Sequence, residues 1–130
     1  MNEETTKRER RDVDTKTKES DCNLLVSIKG LVLGEASNQI RNEIRERIDV
    51  ERKRLRAVWI DLTDVPLIDS VGLGVLVGIR ATCHRANVRL ALVGPSEKVM
   101  SIFVALNFTK VFDIIPREEA RTQAPGLFEP

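Results

Sequence analysis

Val58-Trp59-Ile60-Asp61-Leu62, the loop Thr63-Asp64-Val65-Pro66-Leu67-Ile68, and then Asp69-Ser70-Val71-Gly72-Leu73-Gly74-Val75-Leu76-Val77-Gly78 form one continuous strand–loop–helix signal. The first piece is short, aromatic and β-branched, as a buried strand is. Pro66 excludes regular helix from the loop. Asp69 and Ser70 open a long, largely apolar helix that runs to about Ala86, with Asn87 as its stop. In α/β sheets, sites form at the carboxyl ends of strands, beside helix N-termini. Ser70 stands in such a place.

The same alternation repeats on both sides. Leu24–Ile28 (LLVSI) reads as a strand ending at Gly30. Gly34–Val50 carries Ile40, Ile44 and Ile48 four residues apart, one apolar stripe on a helix, with Ser37 or Asn38 as the expected cap. Its charged residues Arg41, Glu43, Arg45, Glu46 and Arg47 read as a solvated face. Downstream, Leu90–Val93 is a strand and Gly94-Pro95 a turn. Ser96 caps a helix with Val99, Ile102, Phe103 and Leu106 on one face. Val111–Ile115 is the last strand, and Pro116 begins the short helix PREEAR. Alternating strands and helices predict an α/β domain, a mainly parallel or mixed sheet with helices packed on it.

A chain of 130 residues fits one such domain. Its 21 Lys+Arg and 20 Asp+Glu leave a formal charge of +1, which excludes a strong generic polyanion binder and predicts no direct nucleic-acid contact. Cys22 and Cys83 make neither a disulfide scaffold nor a CxxC pair. No apolar run is long enough for a membrane span, and MNEETTKRERR has no apolar core for a secretory signal. The expected setting is cytoplasmic and reducing. Within Met1–Asp21, 13 of 21 residues are charged, so residues 1–21 read as a charged tail. The weak alternation of Asp12–Lys18 allows an edge strand at its end. The domain proper is expected over 22–122, followed by a C-terminal tail at 123–130.

Few residues suit catalysis. His84 is the single histidine, and it shares the predicted helix with Ser70 some 14 residues away, roughly 21 Å at ~1.5 Å per residue. No nucleophile–base pair forms at that distance. Cys83 and His84 are adjacent, so a helix points them apart, and no second Cys/His cluster completes a zinc site. Gly72, Gly74 and Gly78 lack the placement of a dinucleotide loop, and GxxxxGK[ST] is absent. No catalytic residue, metal or cofactor is assigned. Ser70 reads in two ways: as a helix cap, or as a modification site. Gly72 and Gly74 weaken the first turn for a purely structural helix. They leave room for a partner to approach Ser70, with Val71 and Leu73 as apolar contacts. A phosphate there adds about −1.5 to −2 charges. The helix N-terminus partly stabilises it, and Asp69 and Asp64 repel it.

At these residues the chain resembles the STAS domain of bacterial anti-sigma factor antagonists. The signature is Asp61-Leu62-Thr63, Val65, and Ile68 through Gly78. It continues in Leu90-Ala91-Leu92-Val93, Ser96 through Val99, Phe103, Leu106 and Phe112-Asp113-Ile114-Ile115. The resemblance implies a single domain with a four- to five-stranded mixed sheet and helices packed mainly on one side, and phosphorylation of Ser70 by an anti-sigma factor that is also a serine kinase. It implies partner contacts through Asp64, Asp69, Ser70, Val71, Gly72, Leu73 and Gly74. The unphosphorylated form then binds the anti-sigma factor and frees a sigma factor, and a phosphatase resets the modified form. The ATP is the kinase's, so no enzyme activity is expected of this chain. A weak homodimer is a further expected association. Two places depart from the family pattern. Val71 stands where Ser or Thr is common, and Gly30-Leu31-Val32-Leu33 stands where Gly-Glu-Leu-Asp is common. Apolar Leu31 and Leu33 suit a stressosome-like scaffold as an alternative. A transporter-associated regulatory subunit is another, since STAS-like domains occur there.

Overall fold

The computed structural model describes residues 13–128. Five strands form one sheet in the order β1-β2-β3-β4-β5: β1 Val13–Ser20, β2 Asn23–Gly30, β3 Ala57–Asp64, β4 Arg89–Val93 and β5 Asp113–Ile115. β1 runs antiparallel to β2, and every other pair is parallel. Helices α1 (Gly34–Glu51), α2 (Ser70–Arg85) and α3 (Glu97–Ala105) make the crossovers, and α4 (Arg117–Gln123) follows β5. The expected mixed sheet is thus present, with five strands.

The two sheet faces have separate cores. On one, Leu24, Val26, Ile28, Val58, Ile60, Leu62, Leu90 and Leu92 meet Ile40, Ile44 and Ile48 of α1, Val75, Leu76, Ile79 and Cys83 of α2, and Val99 and Phe103 of α3. On the other, Leu25, Trp59, Ala91, Val93 and Ile115 are covered by Ala120, Ala124, Leu127 and Phe128. β3 is therefore buried on both faces from Ala57 to Leu62. This is why its sequence reads as a continuous apolar run instead of alternating. Its one acid, Asp61, accepts from the backbone N–H and hydroxyl of Thr63 and is paired with Arg117 of α4.

Three boundaries move. Val13–Ser20 lies within the segment read as tail, at the place where the alternation of Asp12–Lys18 allowed an edge strand, and it is one, paired along its whole length with β2 from Val13 opposite Gly30 to Ser20 opposite Asn23. Val13 is buried, and Glu19 pairs with Arg47 and Arg54. The remainder of the charged segment, residues 1–12, lies outside the described residues. At the other end, the segment read as a tail is part of the core, since Ala124, Leu127 and Phe128 are all buried. Phe128 meets Trp59 edge-on at 5.8 Å. β5 is shorter than expected because a 3-10 turn at Phe108–Lys110 takes up the approach.

The charged face of α1 is solvated as expected, with Glu43, Arg45 and Glu46 exposed and Arg41 and Arg47 half-buried, and it also reaches the edge strand. Glu43 accepts from Thr15, and Arg47 donates to Thr17, so the helix is strapped to the edge strand.

Candidate functional site

The site forms where the β2–α1 loop meets the start of α2. Val32 forms a single parallel bridge with Ile68. Its N–H donates to the Leu67 carbonyl at 3.1 Å, and its carbonyl accepts from the Asp69 N–H at 3.2 Å. These bonds lay Leu31–Leu33 directly against the entrance to α2. Leu31 and Leu33 are half-buried there, and Val32 is buried.

Asp69 is the pivot. It sits at the N-cap of α2, and its Oδ1 accepts from the Gly72 N–H at 2.9 Å. Its Oδ2 accepts from the Gly34 N–H at 3.0 Å. Gly34 begins α1 with φ +54°, and the preceding Leu33 makes no capping bond. The expected local cap at Ser37 or Asn38 is not used: both lie inside the helix, Ser37 fully buried. An acid from a distant part of the chain replaces it. The Gly72 N–H, helped by that of Gly34, holds the Asp69 carboxyl below its ordinary value despite partial desolvation.

Ser70 is then the first residue of α2, not its cap, and it is exposed. Val71 beside it is 41 % exposed. Leu73 is half-buried and Gly74 exposed. A Cβ built on Gly74 meets nothing within 4 Å, so this position leaves open surface. Gly72 differs. It is buried, and a Cβ there would lie 2.7 Å from the Val32 carbonyl oxygen and 2.6 Å from Ile68. Its small size serves internal packing, so it lies beneath the surface that a partner would touch. Asp64 is exposed at the end of β3, across from Lys29, and makes no hydrogen bond to Asp69 or Ser70. The structure therefore gathers Asp69, Ser70, Val71, Leu73 and Gly74 on one corner, with Gly72 below it and Asp64 on a neighbouring strand end.

The residues set aside from catalysis lie as their chemistry suggests. Ser70 and His84 stand near opposite ends of α2. His84 is exposed, while Cys83 is buried and its thiol is pushed up to about 12. Among the described residues, no three His, Cys, Asp or Glu side chains form a metal-sized group, and no helix is long and apolar enough to cross a membrane. Sequence reasoning missed the backbone of Val32 and Gly34, because a contact between segments 35 residues apart has no local signature.

The family model for the STAS domain matches residues 12–120, and the chain belongs to that family. Anti-sigma-B factor antagonists of Listeria monocytogenes and Listeria innocua are each 30% identical to it over 84 residues, covering 64% of this chain and 74% of theirs. An anti-sigma factor antagonist from Mycobacterium paratuberculosis shares the fold with a TM-score of 0.72, at 18% identity, over 86% of this chain and 92% of that one. The anti-sigma factor antagonist SpoIIAA in its unphosphorylated form superposes with a TM-score of 0.65 at 18% identity, over 88% of this chain and 100% of its own.

Proposed function

We propose that this chain is an anti-sigma factor antagonist switched at Ser70. In this reading it binds a kinase-type anti-sigma factor and so frees a sigma factor in the cytoplasm. Transfer of a phosphoryl group to Ser70 ends the binding, and a phosphatase restores it. The chain is then a binding module and a phosphorylation substrate, with no catalysis of its own.

The observation that carries the reading is the exposed hydroxyl of Ser70 on a helix end that Asp69 already occupies. A phosphate at a free helix N-terminus gains from the backbone N–H groups and the helix dipole. Here the Asp69 carboxylate has taken the Gly72 N–H. A phosphate on Ser70 meets a like charge and projects outward. The domain stays folded, and the change falls on the surface that contacts the partner, in the company of Val71, Leu73 and Gly74. The Listeria relatives, named as anti-sigma-B factor antagonists, support the same partner class.

The test is incubation with a kinase-type anti-sigma factor from the same genome and ATP, followed by mass spectrometry. Wild type is expected to gain one phosphate, and Ser70→Ala none. Ser70→Asp is expected to weaken binding on the order of thirtyfold, about 2 kcal/mol, the low end for an uncompensated charge at an interface. If Ser70→Asp binds as tightly as wild type, the switch reading fails.

A further inference from the structure

We propose that the outer edge of β1 is a homodimer seam, along which two copies pair antiparallel about Thr15. Among the described residues β1 ends the sheet and pairs only with β2, so its other edge presents backbone N–H and C=O groups with no described strand against them. An eight-residue unpaired edge is a template for another strand. The side chains along it select which strand.

Read about Thr15, β1 is charge-complementary to itself. A two-fold axis at Thr15 sets Asp14 opposite the partner's Lys16 and Lys16 opposite the partner's Asp14, while Val13 meets Thr17. The paired positions differ by two, so both members of each pair lie on the same sheet face. For Asp14 and Lys16 that face is the one away from α1, because Thr15, Thr17 and Glu19 point to α1 and bond Glu43 and Arg47. Asp14 and Lys16 are both exposed there. The neighbouring registers do not match. Centred on Lys16, the seam sets Lys16 against itself between two Asp14–Lys18 pairs. Centred on Thr17, it sets Lys16 against Lys18 twice. Of these registers, the one about Thr15 alone sets unlike charges opposite one another with no like pair between them; unlike pairs support antiparallel pairing, and like pairs oppose it. In sequence the same reflection relates Lys18 to Asp12, which lies outside the described residues.

Lysines on an edge strand also serve to prevent pairing, and the experiment separates the two roles. The full chain is followed by sedimentation and light scattering over rising concentration, at low and high salt. A dimer is expected that weakens in ~1 M salt, where exposed charges are screened. Asp14→Lys alone and Lys16→Asp alone each turn both unlike pairs into like pairs, and each is expected to weaken the dimer on the order of tenfold or more. Mixing the two variants restores unlike charge at both pairs, so the mixture is expected to form a heterodimer. That recovery also shows that both variants are folded. A wild type that stays monomeric throughout overturns the proposal, as does a dimer that neither variant weakens. A mixture that does not recover also overturns it.

Discussion

A single carboxylate, that of Asp69, accepts hydrogen bonds from the first turns of two helices, through Gly72 of α2 and Gly34 of α1. A carboxyl that titrates lower in the folded chain adds stability that is in place above its ordinary 3.8 and is lost as pH falls through the folded value. The two glycines beside Ser70 part company at this scale. Gly72→Ala drives a methyl group into the Val32 carbonyl and Ile68. Overpacking of that kind costs about 1–3 kcal/mol, against about 1 kcal/mol gained in helix preference. Gly74→Ala meets nothing and keeps the gain. Urea denaturation is therefore expected to show Gly72→Ala less stable than wild type and Gly74→Ala more stable. The Cys83 thiol gives the chain an alkaline limb. Its folded value is raised by burial from 9.0 to about 12. The unfolded chain thus releases the proton first, and stability falls as pH rises from 9 toward 12, at up to about 1.4 kcal/mol per pH unit. Cys83→Ala is expected to remove that slope from the difference between urea midpoints at pH 8 and pH 10.5.

Among the elements, those with strong local patterns were legible and those held by distant contacts were not. Ile40, Ile44 and Ile48 announced α1, and all three are buried. Ser96 announced the cap of α3 and accepts from the Val99 N–H. β1 was half legible: the alternation of Asp12–Lys18 allowed an edge strand, but VDTKTKES has the composition of a solvated segment. Its order comes from pairing with β2 and from the strap to Glu43 and Arg47. The serine corner was half legible: Asp69 and Ser70 stand out, whereas the burial of Gly72 depends on Val32, which lies 40 positions earlier in the chain. The C-terminal segment was obscured by Pro125 and Gly126, which end α4 without ending the core. Phe128 closes the second face over Trp59, and Arg117 lies 5.6 Å over its ring. Phe128→Ala is expected to cost about 3 kcal/mol, the lower bound for a buried aromatic truncated to alanine. Thermal unfolding followed by far-UV circular dichroism reads it as a lowered Tm. An unchanged Tm would mean that the segment is not docked in solution.

At the scale of the whole molecule, the sheet has unequal ends. β1 is eight residues long and β5 only three, with β4–β5 pairing confined to Ala91–Val93 opposite Asp113–Ile115. Association through β1 uses that edge in both copies and leaves only the short β5 edges, so assembly along the sheet is expected to stop at two chains. The near-balance of charge fits local recognition. A formal +1 attracts no polyanion at long range. A phosphate on Ser70 would take the total to about −1, and its position on one corner matters more than that sum.

Trp59 is the chain's sole indole. Its ring lies on the sheet face opposite α2, bonded through Nε1 to Asn23, met edge-on by Phe128 and covered by the Arg89 guanidinium at 4.8 Å. The protein thus carries one built-in optical probe, and that probe views the wrong side for the serine corner. Its emission is expected to follow the docking of the last turn and the integrity of the second core, whereas a phosphate placed on Ser70 would lie on the α2 side of the sheet, away from the ring.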